Sequence, residues 1–105
     1  MAHGLDDLAQ RLRQFAADRD WEPFHTPKNL ASALIVEAAE LLEHFQWLTP
    51  EQSAQLTPAQ RTEVAHEMAD VLIYLTRMAD VMGIDLLAAA ERKIALNAEK
   101  YPAAK

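Results

Sequence analysis

The stretch Thr57-Pro-Ala-Gln-Arg-Thr-Glu-Val-Ala-His-Glu-Met-Ala-Asp-Val-Leu-Ile-Tyr-Leu-Thr-Arg-Met-Ala-Asp-Val-Met-Gly83 decides the fold. Val64, Met68, Val71, Leu72, Leu75 and Met78 recur at three- and four-residue spacing, the period of one helix face. Thr57 before Pro58 reads as a helix start. The hydroxyl accepts from an orphan backbone N–H, and proline at the first position has no N–H to lose. Gly83 reads as the stop, because glycine takes the left-handed conformation that ends a helix. Glu67, Asp70 and Tyr74 form a polar line along the edge of the apolar stripe.

The same grammar repeats on either side. Upstream, Thr26-Pro27 opens a second long helix expected to run to about Trp47, with Leu30, Leu34, Leu41 and Phe45 on its stripe. A polar connection from Thr49 to Leu56 joins the two, and Thr49-Pro50 is itself a cap-plus-proline start. A first helix is expected from about Leu5 to Asp18, carrying Leu5, Leu8, Leu12 and Phe15. The segment Asp20–Pro27 breaks that pattern with two prolines. Downstream, Asp85 caps a last helix expected to reach about Lys100 and to end at Tyr101-Pro102. With only two glycines in 105 residues, the expected class is all-α, a bundle of about four helices. No internal repeat or composition shift divides residues 1–105, so one domain is expected.

Composition narrows the function classes. The chain has no cysteine, which excludes disulfides, thiolate metal sites and cysteine nucleophiles and agrees with a reducing cytoplasm. A net charge of −6 argues against a nucleic-acid polymer as the main partner. A free nucleotide carried with a divalent cation is compatible with it. No apolar run reaches the roughly 18–20 residues needed to span a bilayer. The opening Met1-Ala-His-Gly-Leu-Asp-Asp7 lacks the basic segment and apolar core of a secretion signal. Half of the residues are hydrophobic, rich for so short a chain, and a homo-oligomer that covers some of this surface is expected.

Two acid pairs carry the chemistry: Glu37-Ala-Ala-Glu40 on the second helix and Glu67-Met-Ala-Asp70 on the third. Acids three apart on a helix repel, costing roughly 0.2–0.5 kcal/mol per pair. Two such pairs beside apolar stripes make sense when a cation lies between them. If the helices pack antiparallel, the two lines face one another and offer four carboxylates without sulfur or imidazole. Such hard oxygen ligation favours Mg²⁺ or Mn²⁺ over zinc. The alternative is a pair of ordinary solvated acidic faces. Glu63-Val-Ala-His66 is an ExxH element of the di-iron type, but those sites need a second ExxH that the chain lacks.

Four strings together resemble the MazG-like all-α nucleoside triphosphate pyrophosphohydrolases, most closely the dCTP pyrophosphatase branch. They are Arg19-Asp-Trp-Glu-Pro-Phe-His25, Glu37-Ala-Ala-Glu-Leu-Leu-Glu-His-Phe-Gln-Trp47, Glu67-Met-Ala-Asp-Val-Leu-Ile-Tyr-Leu75 and Lys93-Ile-Ala-Leu-Asn-Ala-Glu-Lys-Tyr-Pro102. The resemblance implies Mg²⁺-dependent hydrolysis of a (deoxy)nucleoside triphosphate, of the dCTP type, to monophosphate and pyrophosphate. It assigns the metal to Glu37, Glu40, Glu67 and Asp70, with Glu37 or Glu40 as the proton acceptor. It assigns phosphate and sugar contacts to Lys93 and Asn97, with Lys100 and Tyr101 at the helix end. Trp21 and Trp47 are implied base contacts, and His25 and Tyr74 lie near the same ligand. A homotetramer built as two dimers, with sites between subunits, is also implied. Pyrimidine-selective relatives carry a histidine where this chain has Leu12, which leaves the preferred base open. A non-catalytic nucleotide or metal sensor, or a plain helical interaction module, is the competing class.

Overall fold

The computed structural model describes residues 4–104; the first three residues of the opening segment lie outside the described residues. Among the described residues five α-helices follow in order: α1 Gly4–Asp18, α2 Pro27–Glu43, α3 Pro50–Ser53, α4 Pro58–Met82 and α5 Leu86–Lys100. A single 3₁₀ turn, Glu22–Phe24, lies between α1 and α2. The all-α expectation is met. The additional short helix α3 grows from the Thr49-Pro50 start. The Thr49 hydroxyl accepts from the Gln52 N–H, and the Gln52 side chain accepts in return from the Thr49 N–H, a reciprocal cap. Thr57 and Gln60 repeat the device at the head of α4.

Helix α2 ends one turn earlier than the sequence pattern implied, at Glu43 rather than near Trp47. The His44 and Phe45 N–H groups turn back to Leu41 and Leu42 in a tightened last turn. Thr49, held extended before Pro50, prevents the helix from running on. At the other end of the bundle α4 stops at Gly83 with φ 67°, where the Ile84 N–H reaches back to the Ala79 carbonyl and closes the turn. Asp20 performs the same task after α1 with φ 56°, a strained value for a residue with a side chain. The Trp21 N–H then bonds to the Ala16 carbonyl, which fixes where the tryptophan leaves the helix.

Helix α4 is the spine, with α2 and α1 both packed against it. His44 lies beside Glu63 and Glu67, whereas Glu37, two turns earlier on α2, feels Asp70. The chain therefore descends along α2 as it ascends along α4, and the two are antiparallel. A bidentate ion pair, Arg13 to Asp80 at 2.8 and 3.0 Å, ties α1 to the far end of α4. Leu30, Ala16 and Ala79 are buried apolar residues at these contacts. Helix α5 has no buried residue. Ile94, Leu96 and Leu87 on it are exposed, as are Val36, Ile35 and Leu42 on α2. The radius of gyration is 16.6 Å, against about 13 Å for a self-contained domain of this length.

Candidate functional site

The antiparallel pairing of α2 with α4 brings the two acid lines together. Glu37, Glu67 and Asp70 each place one carboxylate oxygen within 4.8 Å of the others, the one such group of metal-capable side chains among the described residues. Glu40 adjoins it, close enough to Glu37 on its own helix and to Glu67 across the cleft to disfavour the charged form of both. The electrostatics are those of anions crowded without a counter-charge. The Glu37 carboxyl is pushed up to about 7, first by burial and then by the hydrogen bond and like charge of Glu40, with Asp70 and Glu67 adding to it. Glu67 is raised for the same reasons, burial first, with His44 opposing.

One oxygen of Glu37 and one of Glu67 are buried with no hydrogen-bond donor. Buried acceptors are ordinarily satisfied, so two orphaned oxygens facing one cleft are the condition that a cation relieves. All the donors are carboxylate oxygens, which suits a hard divalent ion. The residues present therefore fit a metal of that type. Glu63 and His66 are exposed and stand outside the group.

Beside the acids lies a cavity of about 380 Å³ lined by Leu12, Phe15, Ala16, Trp21, His25, Asp70, Ile73, Tyr74 and Arg77. Asp70 belongs to both the cavity and the acid group. Trp21 stands edge-on to Phe15, with ring centroids 5.7 Å apart, and 6.1 Å from the ring of His25. His25 follows the 3₁₀ turn and accepts at Nδ1 from the Arg77 Nε–H at 3.0 Å. Burial first, then the nearby Arg77 charge, holds His25 below its usual 6.5, so the ring is neutral at physiological pH.

The structure divides the expected site residues into two groups. Glu37, Glu40, Glu67 and Asp70 meet in one cleft, and Trp21, His25 and Tyr74 line the adjoining cavity. Trp47 does not join them: it lies in the turn after α2 with 85% of its surface exposed. Lys93, Asn97, Lys100 and Tyr101 are all exposed on or just after α5 and line neither the cleft nor the cavity of their own chain. Two residues of this region were not among the expected site residues. His44, whose Nε2 lies 3.9 Å from Glu67, stands one turn beyond Glu40. Arg77 stands one turn beyond Tyr74 and two beyond Asp70, so the polar line 70, 74, 77 was present in the spacing.

Comparison with known proteins gives the family. The model of the MazG-like family matches residues 33–105. The human (Homo sapiens) dCTP pyrophosphatase 1 is 42% identical over 101 residues, covering 94% of this chain and 59% of that protein. The Bos taurus dCTP pyrophosphatase 1 is 40% identical over 100 residues, covering 93% and 59%. The chain thus spans about 59% of the length of these curated relatives. A pyrophosphatase of known crystal structure from Archaeoglobus fulgidus superposes with a TM-score of 0.90 at 41% identity, covering 98% of this chain and 96% of its own. With the match over residues 33–105 and the shared helical architecture, the chain belongs to the MazG-like family.

Proposed function

We propose that this chain is a metal-dependent nucleoside triphosphate pyrophosphohydrolase that converts dCTP or a closely related nucleotide to the monophosphate and pyrophosphate. The observation that carries the reading is the place of Asp70, shared between a cleft of crowded carboxylates and an aromatic cavity. A triphosphate needs both, side by side: cations for its phosphates and an apolar, aromatic recess for its base. Relatives named dCTP pyrophosphatase and a structural neighbour named pyrophosphatase support it.

Glu37, Glu40, Glu67 and Asp70 would hold Mg²⁺, with Mn²⁺ as a substitute. Bound there, the ion would screen the phosphate charge and favour attack on phosphorus. In this reading water adds at the α-phosphorus as the bond to the departing pyrophosphate breaks. The water's proton passes to a carboxylate of the cleft. Glu37 or Glu40, the two carboxylates of α2 in the cleft, is the acceptor in this reading. Trp21 stacks on the base, a contact worth roughly 1–3 kcal/mol, while Tyr74 and His25 line the same recess.

The remaining expected contacts require more than one chain. Trp47, Lys93, Asn97, Lys100 and Tyr101 are exposed, and α5 carries no buried residue. We place these residues in the site of a neighbouring subunit, in a homotetramer of two dimers, with residues 1–105 acting as one domain. Light scattering after size exclusion checks this; a monomer at micromolar concentration would sink it. The reaction belongs to the cytoplasm in this reading, in keeping with the absence of cysteine. No helix among the described residues is long and apolar enough to cross a membrane. The acidic surface makes a free nucleotide, rather than a nucleic-acid polymer, the partner.

The test is pyrophosphate release from a panel of nucleoside triphosphates with and without Mg²⁺, for the wild type and for Glu40→Gln and Asp70→Asn. Both variants are expected to lose metal-dependent release while their helical circular dichroism persists. Wild-type turnover in either would remove the site assignment. Nucleotide binding by the wild type without release from any member of the panel would instead make the protein a sensor.

A further inference from the structure

Arg77 lies on the cavity wall, and its role is not explained by the packing around it. It is a buried arginine, 7% exposed, two turns beyond Asp70 on α4. A guanidinium has five N–H donors in a rigid planar fork. One donates to His25 Nδ1 at 3.0 Å and one to Asp80 Oδ2 at a long 3.4 Å. No other side-chain or backbone group among the described residues takes the remaining three. Nor does Asp80 need Arg77, since Arg13 already holds both of its oxygens, at 2.8 and 3.0 Å. Two guanidinium groups thus share one carboxylate, and Arg77 is the one permanently cationic side chain among the residues that line the cavity.

The remaining donors are not among the buried side-chain atoms left without a partner, so they reach water and stay available to an acceptor that enters the cavity. The other walls offer nothing equivalent: Leu12, Phe15, Ala16 and Ile73 are apolar, and Asp70 is committed to the acid cleft. His25 is fixed as well. Because Nδ1 accepts from Arg77, the neutral ring carries its proton on Nε2. The polar lining away from the acids is therefore dominated by donors.

We propose that Arg77 reads the nucleobase: steadied by His25 and Asp80, its fork donates to two adjacent acceptors on the base edge held beside Trp21. Cytosine presents O2 and N3 as such a pair. Thymine and uracil place an N3–H between their two carbonyls, so the fork meets a donor and one contact becomes repulsive. This rests on the reading of the site as one for a nucleoside triphosphate and adds to it the residue that chooses among pyrimidines.

The experiment compares pyrophosphate release from dCTP and dTTP, with Mg²⁺, by the wild type, Arg77→Met and Arg77→Lys. The wild type is expected to favour dCTP. Arg77→Met is expected to lower kcat/KM for dCTP about tenfold, mainly through KM, and to change that for dTTP by less than about twofold, so the preference collapses. Arg77→Lys keeps the charge without the fork and is expected to recover dCTP affinity in part but not the preference. Equal losses for both nucleotides, or a wild type without preference, would overturn the inference. A second measurement uses the intact wild type labelled with ¹⁵N in arginine and tryptophan. Addition of dCMP should shift the Arg77 Nε–H resonance, and deoxyribose 5-phosphate should not. A dCMP titration that moves the Trp21 indole signal and leaves Arg77 still would refute the role of Arg77 alone. No release from any triphosphate, with no resonance moved by dCMP, would remove the underlying functional reading as well.

Discussion

Replacing Glu37 by glutamine tests the electrostatic logic of the acid cleft directly. The carboxyl stands near 7 in the fold, against an ordinary 4.5. At roughly 1.4 kcal/mol per decade, ionising it there is opposed by up to about 3 kcal/mol. Solvent and salt reach the open cleft, and screening reduces the expected figure to about 1–2 kcal/mol. Because the folded pKa is raised, the native state binds the extra proton between about pH 4.5 and pH 7. Stability from this group is therefore present in acid, falls as pH rises through that window, and is fully lost above it. Glutamine does not titrate. Without divalent cation, the stability gained by Glu37→Gln over the wild type should be smallest near pH 4.5 and grow by about 1–2 kcal/mol above pH 7. That corresponds to roughly 5–15 °C in Tm for a domain of this size. Thermal melts followed by circular dichroism, in chelator, at several pH values measure it. Excess Mg²⁺ should then restore the wild type at high pH, through binding to the folded form alone. The variant should respond far less. A gap between variant and wild type that does not change with pH would refute the electrostatic account. An unchanged Mg²⁺ response in the variant would refute the role of Glu37 in holding the ion.

Other outcomes follow from the caps and from the cavity. Gly83→Ala meets no neighbouring atom, yet φ 67° is unfavourable for alanine, so a loss of about 1–2 kcal/mol is expected in denaturant titration; no loss would show that the turn relaxes. Asp20→Gly should stabilise by up to about 1 kcal/mol by relieving φ 56°, with a lowered denaturation midpoint as the contrary result. His25, followed through its ring C–H resonances, should titrate below its usual 6.5 because burial and Arg77 disfavour its charged form. Stability from the neutral ring is present above that value and declines as pH falls through the folded midpoint. A midpoint at or above 6.5 would contradict the observed hydrogen bond.

Much of the site was legible because a helix converts spacing into position. Glu37 with Glu40, and Glu67 with Asp70, lie three apart, and the apolar stripes beside them point both pairs toward the same cleft. Arg77 was less visible. It lies in the run Leu75-Thr-Arg-Met-Ala79, where a lone arginine near the end of a long helix reads as a solvated side chain. Only the loop that follows α1, held by the left-handed Asp20, brings His25 over it.

By itself the sequence determined the helices, their starts at the three Thr-Pro pairs, the stop at Gly83 and the acid lines, all consequences of local backbone chemistry and a 3.6-residue period. The tertiary structure alone decided which oxygens of Glu37, Glu67 and Asp70 converge within 4.8 Å, because that depends on the antiparallel register of α2 against α4. It alone buried Arg77 against His25 and left Trp47 and α5 in the open. Long-range placement of this kind is set by packing, and packing is written in no single stretch of the chain.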